Sequence, residues 1–181
     1  MAHQGLTRRT PLLLQALPRC VSRGDTYLEA ALLLPSYLDV TYVAAKRGSG
    51  PADRAVLLAH GAGADKDAPA LVAISDALRA AGIPSLRFNF AYRAAGRRAP
   101  DRMPVLQATL RDAAADLARR TRLDPERIVF GGRSMGGRVA SMCIAEGDPA
   151  LGLVLLAYPL HPPGKPEQLR VEHLRDIAVP T

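Results

Sequence analysis

The chain has 181 residues, 48% hydrophobic and 23% charged, enough for one domain with a sizeable core and too apolar for a disordered chain. Its net charge of +7 comes from scattered arginines, and aromatic residues make up only 4%, which argues against base stacking and a nucleic-acid role. The longest apolar run, Gly152 to Leu160, is too short to span a bilayer, and two cysteines, Cys20 and Cys143, form neither a metal cluster nor a disulfide framework, so a cytoplasmic protein is expected.

The amino terminus places Arg8 and Arg9 ahead of Leu12 to Leu14 in the manner of a secretion signal. Its apolar core is short, is broken by Pro18 and lacks a small-residue cleavage site, so no signal peptide is expected. Residues 1–36 read as an N-terminal extension, in which "TYLEAALLLPSYL" fits helix and strand alike. From Leu38 to Ala45 the pattern alternates, as in a half-exposed strand, and a turn-rich stretch follows. Ala55 to His60 is a continuous apolar run, expected of a strand covered on both faces. Leu71, Ile74 and Leu78 then recur at helical spacing, with Gly82 at the stop position.

Ile83 to Tyr92 returns to strand, and a loop carrying Arg97 and Arg98 leads to Pro104 and a second helix bearing Val105, Leu110, Ala113 and Leu117. "RIVFGG" is the next strand, "MGGRVASMCIAEG" the next helix with Cys143 as a small core residue, and "GLVLLAYPL" a further strand. This alternation predicts an α/β fold: a mainly parallel, doubly wound sheet with helices on both faces.

Ligands of such sheets gather where strands turn into helices. One such turn, Gly132-Arg133-Ser134-Met135-Gly136, spells G-x-S-x-G between a strand and a helix, which is the context of a nucleophile elbow. There the serine adopts a strained backbone on a tight turn, and glycines two places either side avoid collision with the neighbouring strand and helix. A phosphate loop is disfavoured because no G-K-[ST] ending follows. The second turn is "LLAHGAGADKDAP", where Gly61 and Gly63 allow close backbone approach and a peptide N–H can face the elbow as in an oxyanion hole. A dinucleotide fingerprint fails here, because Lys66 occupies the third glycine position and no acid ends the next strand.

With both turns in hand, the chain resembles the α/β-hydrolase superfamily, near the dienelactone-hydrolase-like enzymes. "VLLAHGAGADKDAP", "GIPSLRFNFAYRAAGRRAPDR", "GGRSMGGRVASM" and "GLVLLAYPLHPPGKPEQLRVEHL" are similar to the bacterial KANL/Tex-type hydrolases, over about residues 55–181. The resemblance implies a cofactor-free, metal-free serine hydrolase acting on a small acyl substrate, with residues 37–181 a partial α/β-hydrolase domain. Ser134 would be the nucleophile, the backbone N–H groups of Ala62 and Met135 the oxyanion donors, and His60 a support for the loops. His161 would be a pocket-wall or loop residue. From their positions in the sequence, Arg97 and Arg98 lie on a loop at the same end of the sheet and read either as a pocket pair attracting an anionic substrate or as a solvated loop, and His173 reads as a surface helix residue.

The departure is in the triad, whose order in this fold is Ser, then Asp or Glu, then His. After Ser134 no acid or histidine follows a later strand, so the last strands, the triad acid and the base are expected to be absent. The strand at Gly152–Leu160 would then be an exposed edge prone to self-association. The rival expectation is a non-catalytic pseudo-hydrolase acting as an interaction module.

Overall fold

A computed structural model describes residues 38–181; the N-terminal extension, its signal-like stretch, "TYLEAALLLPS" and Cys20 lie outside the described residues. Five strands form one sheet in the spatial order β1-β3-β2-β4-β5. They are β1 (Val40–Val43), β2 (Ala55–Ala59), β3 (Ser85–Phe88), β4 (Ile128–Arg133) and β5 (Gly152–Leu156). β2 pairs in parallel with β3 and with β4, and β4 with β5; β1 alone runs antiparallel, against β3. The helices are α1 (Pro69–Ala80), the short α2 (Ala91–Ala94), α3 (Met103–Thr121) and α4 (Met135–Ala145). Short 3₁₀ turns span Pro125–Arg127 and Glu172–Asp176.

Strand periodicity divides the core into two layers. On β2, Ala55, Leu57 and Ala59 join Leu86 and Phe88 of β3 in a cluster closed by Leu106, Leu110 and Leu117 of α3 and Val139, Ala140 and Cys143 of α4. Val56 and Leu58 face the other way, against Leu71 of α1. Side chains on both faces of β2 are therefore buried, which accounts for its unbroken apolar run. Burying one such leucine contributes roughly 1.5–3 kcal/mol. The α1 layer also takes a polar pair, Ser75 Oγ to Ser85 Oγ at 2.6 Å, in which one buried hydroxyl donates to the other.

The expected elements are present, with several bounds corrected. The strand expected through Tyr92 ends at Phe88, because the next backbone groups are claimed elsewhere. Phe90 N–H donates to His60, and the Phe90 carbonyl accepts the N–H groups of Arg93 and Ala94, which starts the α2 turn. The last strand stops at Leu156, just before Ala157 at φ 49°, a left-handed conformation that breaks the ladder. In α3 the core face includes Leu106, while Val105 is 45% exposed. The apolar ridge is thus one residue out of phase there, and Pro104 occupies the first turn as expected.

Candidate active site

β4 ends at Arg133 and α4 begins at Met135, so Ser134 alone makes the turn. It sits at φ 51° and ψ −114°, outside the comfortable regions for an L residue, a strain that persists only where the surroundings enforce it. Its N–H donates to the Leu156 carbonyl at 2.8 Å, and its own carbonyl accepts Arg138 N–H at 3.1 Å. The side chain caps nothing. Glycine is imposed by contact: a Cβ at Gly132 would lie 2.4 Å from the Gly136 carbonyl carbon and from Gly137 N. At Gly136 it would meet the Ala59 carbonyl oxygen at 2.5 Å, and at Gly137 the Gly132 carbonyl oxygen at 2.8 Å. Gly137 thus belongs to the same set, although the G-x-S-x-G spacing does not include it.

The loop after β2 lies against this turn. A Cβ at Gly61 would be 3.7 Å from Ser134 Cβ and 3.5 Å from the Arg133 carbonyl oxygen, whereas one at Gly63 would meet open space. Two buried side chains set the peptide planes between them. His60 accepts Phe90 N–H on Nε2 at 3.2 Å and donates from Nδ1 to the Gly61 carbonyl at 2.8 Å. A backbone N–H can only donate, so these bonds fix the Nδ1–H tautomer. Burial holds this imidazole below its ordinary pKa. Because carbonyl and N–H oppose each other across a trans peptide, the pull on Gly61 O turns Ala62 N–H away from the ring. Tyr92, fully buried, donates its hydroxyl to the Ala62 carbonyl at 2.7 Å and so fixes the next plane. Among the described residues nothing accepts the N–H of Ala62 or of Met135, which leaves both available to an incoming oxygen.

The far end of the loop is tied to β3. Arg87 donates to the Lys66 carbonyl at 2.7 Å and to Asp67 Oδ1 at 3.1 Å, and Asn89 Oδ1 accepts Lys66 N–H at 2.8 Å. Arg93 reaches Asp65 at 3.3 Å. The bond from the Lys66 ammonium holds the Asp67 carboxyl below its usual value. The sequence patterns above do not single out Tyr92, Arg87 or Asn89. The signal that could have found them is a cation and an amide inside the otherwise apolar "SLRFNFAY".

The remaining candidates are dispersed. His161 is exposed and donates from Nδ1 to the Pro162 carbonyl at 3.0 Å. Arg97 is held in a two-pronged pair by Asp101 at 2.8 and 3.0 Å, which raises its pKa, and Arg98 is exposed. His173 is not on an exposed helix: it lies half-buried in the second 3₁₀ turn, with Nε2 2.8 Å from Ser141 Oγ, because that turn packs onto α4. Among the described residues no histidine hydrogen-bonds Ser134. No group of three or more His, Cys, Asp or Glu able to hold a metal is found among them, and none of their helices is long and apolar enough to cross a membrane.

Comparison with known proteins agrees with this architecture. A dienelactone hydrolase from Anabaena variabilis ATCC 29413 superposes with a TM-score of 0.50 at 23% identity, covering 65% of this chain and 56% of that one. An α/β serine hydrolase homologue from Coxiella burnetii gives 0.59 at 17% identity, with 69% and 59% covered. An α/β serine hydrolase without a lid from Xanthomonas campestris gives 0.53 at 22% identity, with 69% and 57% covered. The chain thus spans between 56% and 59% of the length of these three, and the likeness is one of fold. The family model described as "Alpha/beta hydrolase domain" matches residues 52–181, which takes in both turns. The chain belongs to the alpha/beta hydrolase domain family.

Proposed function

We propose that this chain carries the nucleophile and oxyanion half of a serine hydrolase site for an ester, thioester or amide, of the KANL/Tex-type and working in the cytoplasm. The observation that carries the reading is the backbone of Ser134, held at φ 51° and ψ −114° by three crowded glycines with its side chain capping nothing. Strain kept at a serine with unclaimed N–H groups on either side suits attack on a carbonyl whose oxygen must then be stabilised. Ser134 Oγ would bond to the carbonyl carbon, and the negative charge passing to the carbonyl oxygen would be met by the N–H groups of Ala62 and Met135. The proton leaving Ser134 needs a base, and His60 does not serve: both its nitrogens are engaged with backbone. A second reading, suggested by the engagement of both His60 nitrogens with backbone, is a non-catalytic domain that keeps the elbow as scaffold.

A fluorophosphonate probe separates the two. Labelling of the folded chain that vanishes in Ser134→Ala is expected. Absence of labelling in chain shown by circular dichroism to be folded would leave the scaffold reading.

A further inference from the structure

The loop that carries Ala62 consists of two abutting turns. In the first, the Gly61 carbonyl accepts Ala64 N–H at 3.1 Å. In the second, the Asp65 carbonyl accepts Ala68 N–H at 3.2 Å, and Asp65 Oδ1 accepts Asp67 N–H at 3.0 Å. His60 and Tyr92 hold the first turn. The second is held at Lys66, where side chains take both backbone groups of one residue. The Lys66 carbonyl accepts Arg87 at 2.7 Å, and Lys66 N–H donates to Asn89 Oδ1 at 2.8 Å, so the peptides on either side of Lys66 are both fixed. The turns meet at the Ala64–Asp65 peptide, and a hold on Lys66 therefore limits where Ala62 N–H can point.

Asn89 has a second set of partners. Its Nδ2 donates to Asp39 Oδ2 at 2.8 Å, and its own N–H donates to the Asp39 carbonyl at 2.8 Å, just before β1. Asp39 Oδ1 faces the Lys66 ammonium at 3.6 Å. One amide thus joins the loop after β2, the residue after β3 and the start of β1. A backbone N–H only donates and a carboxylate only accepts, so the amide sits one way, oxygen to Lys66 and nitrogen to Asp39. An aspartate here would set two carboxylates against each other, and an apolar side chain would leave Lys66 N–H without this acceptor. The position demands a group that accepts on one side and donates on the other.

We propose that Asn89 is a positioning residue for the chemistry at Ser134. Anchored on Asp39, it holds Lys66 and, through the two turns, aims Ala62 N–H at the developing oxyanion. The assignment rests on Ser134 being the nucleophile with Ala62 as one oxyanion donor. Asn89 acts through the loop and not on the reacting atoms.

The test compares the full-length wild type with Asn89→Asp and with Asn89→Asp combined with Asp39→Asn. The single change opposes two carboxylates. The exchanged pair again faces a carboxamide donor toward a carboxylate, and that carboxylate can still accept Lys66 N–H. With a fluorophosphonate, Asn89→Asp should label about tenfold more slowly than wild type. The loss should fall on the maximal rate and not on the probe concentration that gives half of it. Hydrogen exchange over residues 61–68 should quicken in the single variant, and the double variant should regain both wild-type values. Unchanged maximal labelling or unchanged exchange in Asn89→Asp overturns the proposal while leaving the hydrolase reading in place. So does a double variant no better than the single one. Should the single variant fail to fold, a folded double variant that labels at the wild-type rate supports the proposal, and one that labels tenfold more slowly overturns it. A wild type that never labels removes the hydrolase reading and with it the role of Asn89 at Ser134. Quicker exchange in Asn89→Asp, reversed in the double variant, would then make the Asp39–Asn89–Lys66 link a brace of the fold alone.

Discussion

A methyl group added at Gly136 would stand 2.5 Å from the Ala59 carbonyl oxygen, and one at Gly132 would stand 2.4 Å from two backbone atoms of α4. Backbone cannot swing aside as a side-chain tip can, so Gly132→Ala or Gly136→Ala should cost at least about 3 kcal/mol. Gly63→Ala, with open space around it, should stay within about 0.5 kcal/mol of wild type. Urea titration of the three variants checks the contrast. Tyr92→Phe removes only the hydroxyl that holds the Ala62 carbonyl. If the loop holds the oxyanion as proposed, the variant should label about tenfold more slowly with fluorophosphonate while stability falls by only about 1 kcal/mol. Equal labelling rates in folded Tyr92→Phe and wild type would show that the hydroxyl does not position the loop. His60 gives a pH signature. Burial lowers its folded-state pKa, so the unfolded chain binds a proton more readily below about 6.5. The stability is fully present above that pH and is lost as pH falls through the window toward the folded value. His173, also lowered, adds with the same sign. Melting midpoints should therefore drop from pH 7 to pH 5, and His60→Gln should start lower and fall less.

At the scale of elements, the two turns that the proposed function places at the site were legible because much of their constraint is local. The glycine at 132 is demanded by its own turn, through Gly136 and Gly137, whereas the one at 136 is demanded by the distant end of β2 at Ala59. The apolar run of β2 likewise reports directly that helices cover both its faces. Strand ends were not legible. "SLRFNFAY" has strand composition throughout, and it stops at Phe88 because His60, thirty residues earlier, takes Phe90 N–H. The same distance hid the tie from Arg87 and Asn89 to the loop at Lys66. The fate of His173 was hidden for the same reason, since its partner Ser141 lies 32 residues away on α4.

For the whole molecule, the sheet order leaves β5 paired with β4 on one side only. On the other side, Leu153 N–H donates to the Pro180 carbonyl at 2.9 Å, which covers the start of the strand and not its length. Val154 is 42% exposed, with Leu160 54% and Leu169 60% exposed nearby in sequence. We expect this edge to pair between copies, so light scattering should show association that Val154→Lys reduces, as a charge on an edge strand does. A wild-type chain that stays monomeric at high concentration would rule this out. By itself, the sequence determined the α/β class, the order of elements and the tight glycine-flanked turn at Ser134, because periodicity and the crowding of Gly132 by Gly136 and Gly137 act over a few residues. Only the tertiary structure decided that His60 and Tyr92 set the peptide planes around Ala62, and that His173 meets Ser141 of α4. Those features depend on which distant side chains the packed sheet brings within hydrogen-bonding reach, and no local pattern encodes that.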